Sequence, residues 1–268
     1  MSSLAIVIPA YKVIYFDQAL SSNANQTCKD FTLYIGNDNS PFDLKALVDS
    51  YENRIHIVYK HFNENLGGKD LVAHWERCLD LIGDEKWIWS FSDDNTMDPT
   101  CVENFYDTMH RFPDFNIFHF NVRHIDEANQ IVGDFFCFPE FLSIEELLKL
   151  KLEGSIYSMV AEYIFRKSHF LNKGRFQKFD LAWGSDDATW IKLGGEKGIR
   201  NIDSAKVYWR ESPFNISPNF RDQNILCRKL YAQIEFADWI CQQAKQNEIR
   251  IGISSLKKQL TVWFLGKF

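Results

Sequence analysis

The chain has 268 residues, of which 46% are hydrophobic and 15% aromatic, enough to form one large domain or two small ones around a sizeable core. Its formal net charge is −6, which argues against a general nucleic-acid-binding protein, because such proteins show a basic excess or a basic stripe. The six cysteines are scattered without a C-x-x-C pair, a pattern typical of reduced thiols in a cytosolic protein and not of disulfides or a zinc site.

The first 96 residues alternate strand and helix signals. Apolar runs predict strands over residues 4–8, 32–35, 54–59 and 87–91, and the segments between them predict helices over 13–26, 41–51 and 67–81. Strands that alternate with helices indicate an α/β fold with a parallel sheet and right-handed crossovers. Ligands of such sheets bind at the carboxyl ends of the strands, so the segments that follow the four strands are the candidate functional regions.

Beyond residue 96 this regular alternation ends. The patterns predict helices over 99–111, 143–152 and 217–245, strands over 115–122 and 157–165, and a short helix that follows residues 184–187 and ends at 194–195. We therefore divide the chain into residues 1–96, 97–212 and 213–268, the last of these being a helical extension.

Two adjacent carboxylates, Asp93 and Asp94, follow the apolar run 87–91. Adjacent carboxylates repel each other, so a hard divalent cation that bridges them to a phosphate would explain their position. The alternative is that Asp94 and Asn95 form an Asx turn before the next helix. No G-x-G-x-x-G, P-loop, G-x-S-x-G or H-E-x-x-H motif is present, so a nucleotide would have to be held by another route.

Four strand-end segments carry a family resemblance: 6–11, 35–40, 65–68 and 91–95 occur in the order and at the spacing seen in family 2 glycosyltransferases, and 183–190 adds a fifth. The chain resembles this family most closely over residues 4–110 and more loosely to about residue 210. The resemblance implies the GT-A fold, with a mostly parallel, Rossmann-like central sheet flanked by helices. It also implies a nucleotide-sugar-binding half (1–96) and an acceptor-binding half (97–212) of one domain.

The resemblance further implies the residues of the donor site. Tyr11, next to Pro9, would stack on or beside the base, and Asp38 would accept a hydrogen bond from it, typically from uracil. Asn65 and Lys69 complete the predicted nucleotide site, although surface solvation is an equal alternative for Lys69.

The same resemblance assigns Asp93 and Asp94 to the family's acidic metal motif. Asp93 would contact the ribose or a metal-bound water, and one of the two aspartates would ligate Mn²⁺ or Mg²⁺ on the diphosphate. Phe91 stands where the usual D-x-D motif has its first acid. Which carboxylate is the direct ligand therefore stays open.

In the fifth segment, alignment on Gly184 and Trp190 places Asp186 on the family's catalytic base, and Asp187 is the alternative if the alignment slips by one residue. Helix capping by Asp186 is the structural alternative. Trp183 and Trp209 are predicted to contact the acceptor, and Arg210 is predicted to reach the diphosphate. Trp209 could instead belong to the core, and Arg210 could instead pair with a nearby acid.

The resemblance implies an inverting transfer of a hexosyl or hexosaminyl group from a UDP-sugar, or another nucleotide-sugar, to a saccharide or lipid-linked saccharide in bacterial surface-polysaccharide synthesis. A cytoplasmic location is expected, because no segment is long enough for a signal peptide or a membrane span. Residues 256–268 combine apolar residues with lysines, so they could rest on a membrane or pack on their own domain. The rival functions are a sugar-phosphate nucleotidyltransferase, whose glycine-rich basic loop is missing after the first strand, and a non-catalytic nucleotide- or carbohydrate-binding protein.

Overall fold

A computed structural model describes residues 3–134, 137–212, 222–246 and 248–265. Within these ranges the molecule has one ten-stranded sheet with helices on both faces. The strands are β1 (Leu4–Ala10), β2 (Phe31–Asn37), β3 (Ile57–His61), β4 (Trp87–Ser90), β5 (Thr96–Met97), β6 (Ile117–Ile125), β7 (Ile131–Asp134), β8 (Phe141–Leu142), β9 (Tyr163–Arg166) and β10 (Ile199–Arg210). The helices are α1 (Phe16–Ala24), α2 (Leu44–Asp49), α3 (Leu71–Leu79), α4 (Cys101–Arg111), α5 (Ile144–Leu152), α6 (Lys167–Asn172), α7 (Ser185–Gly194), α8 (Gln223–Lys245) and α9 (Ile253–Leu265).

The strand order across the sheet is β3-β2-β1-β4-β9-β6-β10-β5, with β7 beside β6 and β8 beside β10. Strands β1 to β4 pair in parallel, and β6 and β10 form a second parallel ladder. The short strand β9 lies between β4 and β6, antiparallel to both, and joins the two parallel groups. The predicted α/β architecture, with a helix-flanked and mostly parallel central sheet, is confirmed.

This topology brings distant parts of the chain to one edge of the sheet. Because β9 is antiparallel to both of its neighbours, β1, β2, β4, β6 and β10 all run in the same direction. Their carboxyl ends therefore share one edge, and β9 begins at that edge. Residues that follow β1, β2 and β4, the last residues of β10 and the residues before β9 can consequently contribute to one site.

Two apolar clusters fill the two faces of the sheet, and β1 contributes to both. Leu4 and Ile6 pack on the face covered by α1, α2 and α4, whereas Ala5 and Val7 pack on the face covered by α3 and α5. Burial on both faces explains why the strands near the N-terminus are continuous apolar runs.

The C-terminal helical extension predicted from the sequence is also present. Helix α9 buries Leu256, Leu260 and Trp263 in its own domain, which supports packing on the domain over membrane contact. Helix α8 begins after Asp222, whose side chain accepts hydrogen bonds from two N–H groups of the first turn. The predicted helix start at Ser217 lies outside the described residues. Among the helices described, none is both long enough and apolar enough to cross a membrane.

Candidate active site

Asp93 and Asp94, here called the aspartate pair, follow β4, and each is only 4% exposed. Asp93 binds the loop after β1, because its Oδ2 accepts hydrogen bonds from the backbone N–H groups of Tyr11 and Lys12 at 2.9 and 2.8 Å. Burial raises the pKa of Asp93, while Lys12 and the two N–H groups oppose that rise. Two of the strand-end segments predicted to form the donor site are thus in direct contact.

The ammonium group of Lys12 lies between the two carboxylates. Its Nζ is 3.4 Å from Oδ1 of Asp93 and also contacts Oδ2 of Asp94. The hydroxyl group of Ser92 donates to the other oxygen of Asp94. Burial lowers the pKa of Lys12, but the two aspartates raise it more, so the net shift is upward and the side chain is charged at neutral pH. No sequence motif predicts this role for Lys12, although it directly follows Tyr11.

The aspartate pair has the donor chemistry that a divalent cation requires. Oδ1 of Asp93 and Oδ2 of Asp94 are hard oxygen donors that both face one positive charge, which fits Mg²⁺ or Mn²⁺. Phe91 is 2% exposed and packs on Trp89, with ring centroids 5.7 Å apart, so it belongs to the core. Among the described residues no cluster of three or more His, Cys, Asp or Glu side chains could hold a metal.

Asp38 fastens the loop after β3 to the end of β2. Its Oδ1 and Oδ2 accept hydrogen bonds from the N–H groups of Leu66 and Gly67, both at 2.8 Å, and Oδ1 also contacts Arg77. A Cβ atom on Gly67 would lie 2.7 Å from Oδ2 of Asp38, so a larger residue here would force the Asp38 carboxylate to move. Asp38 therefore has a structural role, and its hydrogen bond to a base stays a prediction.

The other predicted nucleotide contacts lie at the same edge or on the loop that Asp38 holds. Pro9 is half-buried in β1, and Tyr11 is 41% exposed just beyond β1. Asn65 accepts a hydrogen bond from the N–H of Gly68 at 2.7 Å. Lys69 is exposed beside it. Tyr11 is the one aromatic residue among these predicted contacts, and its ring is accessible to a ligand.

A second acidic group, here called the acidic cluster, consists of Asp186 and Asp187 at the start of α7 and Glu162 immediately before β9. Asp187 is paired with Nζ of Lys151 at 2.8 Å, and Oδ1 of Asp186 accepts a hydrogen bond from the N–H of Asp187 at 2.9 Å. Burial raises the pKa of Asp186 to about 7, the charge of Asp187 adds to the rise, and Lys151 opposes it. A carboxyl group with a pKa near neutrality is suited to accept a proton.

Glu162, which sequence analysis missed, is 1% exposed immediately before β9. Its Oε1 accepts a hydrogen bond from the N–H of Met159 at 2.6 Å, whereas Oε2 is buried and has no hydrogen-bond donor in the described part of the chain. Burial raises the pKa of Glu162 to about 8, although the hydrogen bond from Met159 opposes this rise. The side chain is therefore mostly neutral at pH 7. The turn from Met159 to Glu162 also explains why the strand predicted over 157–165 begins only at Tyr163.

Arg210 does not have the environment predicted for a diphosphate contact. The side chain is fully buried, and its guanidinium group donates to the carbonyls of Asp94 and Asp126 at 2.9 Å. Two further hydrogen bonds of 2.7 Å run to Gln18 and Asn129. One of these hydrogen bonds holds the loop that carries the aspartate pair. Arg210 therefore stabilises the site from within the core and is not exposed to a ligand.

The two tryptophans predicted to contact the acceptor are both half-buried. Trp183 precedes Gly184, the N-cap of α7, and Nζ of Lys229 lies 4.4 Å from the centroid of its ring. Trp209 packs on His124, with ring centroids 5.0 Å apart. Trp183 therefore adjoins the acidic cluster in the chain, while acceptor binding by either ring stays a prediction.

Comparisons with known proteins agree with this architecture. Solved structures of S. aureus TarS superimpose with 12% sequence identity: residues 1–349 in complex with UDP-GlcNAc match at a TM-score of 0.65, with coverage of 91% of this chain and 73% of that one. The complex of the same fragment with UDP matches at a TM-score of 0.60, over 91% and 72%. A further TarS structure matches at 0.62, over 91% of this chain and 44% of its own length.

At this identity the structural matches establish the fold, which is GT-A as the resemblance implied. No curated protein is similar enough in sequence to count as a match. The family model described as glycosyl transferase family 2 matches residues 5–170, which is more than half of the chain and includes β1, β2, β4 and the aspartate pair. The chain therefore belongs to glycosyl transferase family 2.

Proposed function

We propose that the chain is an inverting glycosyltransferase that moves a hexosyl or hexosaminyl group from a UDP-sugar to a saccharide or lipid-linked saccharide. The observation that carries the proposal is the combination, around one edge of the sheet, of a buried aspartate pair with a carboxyl group whose pKa is about 7. The TarS complexes with UDP-GlcNAc and UDP support the choice of a UDP-sugar.

In the proposed reaction Asp186 accepts the proton of an acceptor hydroxyl group. The acceptor oxygen attacks the anomeric carbon from the face opposite the diphosphate, the bond from that carbon to the diphosphate oxygen breaks, and UDP leaves. One displacement inverts the anomeric configuration. Because Glu162 is mostly neutral at pH 7, it adds little negative charge to the acidic cluster beside the incoming acceptor.

Asp93 and Asp94 are the residues that would hold Mn²⁺ or Mg²⁺. When bound, such an ion stabilises the charge that develops on the leaving diphosphate. Within this proposal Pro9, Tyr11, Asp38, Asn65 and Lys69 remain the nucleotide contacts.

The proposal also assigns a region of the chain to each partner. Residues 1–96 bind the donor, residues 97–212 bind the acceptor with Trp183 and Trp209, and residues 213–268 form the extension. A cytoplasmic role in bacterial surface-polysaccharide synthesis belongs to the proposal too, and the six free thiols support a reducing compartment.

The proposal is tested by calorimetric titration of UDP, GDP and dTDP, each with and without Mn²⁺, followed by turnover assays with UDP-sugars. We expect UDP to bind most tightly and only with metal, and the product to have the inverted anomeric configuration by NMR. Absence of nucleotide binding under every condition would contradict the proposal and favour a carbohydrate-binding protein without transferase activity.

A further inference from the structure

In the structure, the positive charge beside the aspartate pair is a side chain of the protein, Lys12. The ammonium group of Lys12 contacts one oxygen of each carboxylate, and these are the two oxygens that do not accept hydrogen bonds from Ser92 or from the backbone of residues 11 and 12. Lys12 therefore lies against the oxygens that would ligate a divalent cation.

We infer that Lys12 competes with the divalent cation for the aspartate pair, and that metal binding displaces its ammonium group toward the diphosphate of the donor. The inference rests on the proposed function for the identity of the donor, but the competition itself concerns only the protein and the metal.

The contacts of Lys12 explain how such an exchange can occur. The backbone N–H of Lys12 is fixed by its hydrogen bond to Asp93, so the main chain stays in place while the side chain moves. The side chain of Lys12 is 25% exposed, against 6% for each carboxylate side chain, so part of it is already in contact with solvent. Four methylene groups give lysine the reach and the rotational freedom for this movement.

Electrostatics makes the two cations alternatives. An ammonium group and a divalent ion within a few ångströms of each other repel strongly in a buried site, so both cannot occupy the same pair of oxygens. The displaced ammonium group would then lie beside the donor, where a diphosphate supplies the negative charge that it lost. Metal alone should consequently bind weakly, and metal with UDP should bind more tightly than either alone.

The test is a titration of the purified chain with Mn²⁺ alone, followed by electron paramagnetic resonance of the free ion. We expect Lys12→Met to bind Mn²⁺ at least about tenfold more tightly than the wild type, and Lys12→Arg, which keeps the charge, to stay close to it. Lys45→Met is the matched control, because Lys45 also contacts two carboxylates, Asp49 and Glu52, but lies on the surface of α2. Equal or weaker Mn²⁺ binding by Lys12→Met would overturn the inference.

A second measurement needs no charge-removing variant and so does not depend on the stability of Lys12→Met. In ¹⁵N-lysine-labelled wild-type protein, the Nζ resonance of Lys12, identified by its loss in Lys12→Arg, should shift during titration with Mg²⁺ at the concentrations at which the ion binds. Saturable Mg²⁺ binding that leaves this resonance unchanged would also overturn the inference. Neither experiment uses a nucleotide, so failure of the competition and failure of the transferase proposal are distinguishable.

Discussion

The aspartate pair and the acidic cluster use the same kinds of side chain but differ in charge balance. The two carboxylates of the pair share the ammonium group of Lys12 and accept hydrogen bonds from two backbone N–H groups and a hydroxyl group. The three carboxyl groups of the cluster share one ammonium group, that of Lys151, and the pKa values of Asp186 and Glu162 are raised to about 7 and about 8. Compensated carboxylates suit the binding of a cation, whereas poorly compensated ones suit the uptake of a proton.

The substitution with the largest expected effect is Asp186→Asn, which separates proton transfer from donor binding. Asp186→Asn should lower kcat by about 10³-fold, because an amide cannot accept the acceptor proton, while the affinity for UDP stays within about twofold. Steady-state turnover and calorimetry measure the two quantities. Asp187→Asn is the comparison variant, and a larger loss of turnover there would move the base to Asp187, the alternative that the sequence left open.

Arg210→Met tests whether Arg210 stabilises the loop that carries the aspartate pair. The substitution leaves the buried carbonyl oxygen of Asp94 and three partly buried oxygens without their donor, so we expect the free energy of unfolding to fall by about 3 kcal/mol or more in urea denaturation. Arg228→Met is the control, because Arg228 pairs with Asp180 at the surface and should contribute less than about 1 kcal/mol. Similar losses in the two variants would contradict the role assigned to Arg210.

Glu162→Gln tests the charge balance of the acidic cluster through pH. The pKa of Glu162 is about 8 in the folded state against an ordinary value of 4.5, so the wild type should lose stability as pH rises from about 4.5 through 8. Glutamine cannot ionise, and the variant should therefore gain about 2–4 kcal/mol relative to the wild type between pH 5 and pH 9. Urea denaturation at both pH values measures this, with the exposed Glu153→Gln as control. Parallel pH dependence of Glu162→Gln and the wild type would show that Glu162 ionises normally.

Tyr11→Ala should have the smallest effect of the four substitutions and should act on the donor side alone. Stacking of a base on an aromatic ring contributes about 1–3 kcal/mol, so we expect about a tenfold loss of UDP affinity by calorimetry. Because Tyr11 is 41% exposed, the free energy of unfolding should change little. Tyr231→Ala removes a ring that is 69% exposed on α8 and should leave UDP affinity unchanged. Unchanged affinity in Tyr11→Ala would remove Tyr11 from the donor site.

The parts of the site that could be predicted from sequence are those with a local signal. Apolar runs predicted β1 and β4, and the two adjacent carboxylates shortly after β4 can be identified as a candidate site without any tertiary information. The contacts of Lys12 could not be predicted in this way, because its carboxylate partners lie 81 and 82 residues further along the chain.

The environments of Glu162 and Arg210 could not be predicted from local sequence either, for two different reasons. A single glutamate before an apolar strand has no distinctive pattern, and its raised pKa arises from burial that only the folded chain produces. Arg210 is the last residue of β10, but the direction of its side chain depends on Gln18 in α1 and on Asp126 and Asn129 in the turn between β6 and β7.

The most direct test of the account is to measure UDP binding and UDP-sugar turnover side by side in Asp94→Asn and Asp186→Asn. We predict that Asp94→Asn loses metal-dependent UDP binding, and that Asp186→Asn binds UDP like the wild type but transfers sugar about 10³-fold more slowly. Wild-type turnover in Asp186→Asn, or wild-type metal-dependent binding in Asp94→Asn, would contradict the assignment of donor binding and proton transfer to these two regions.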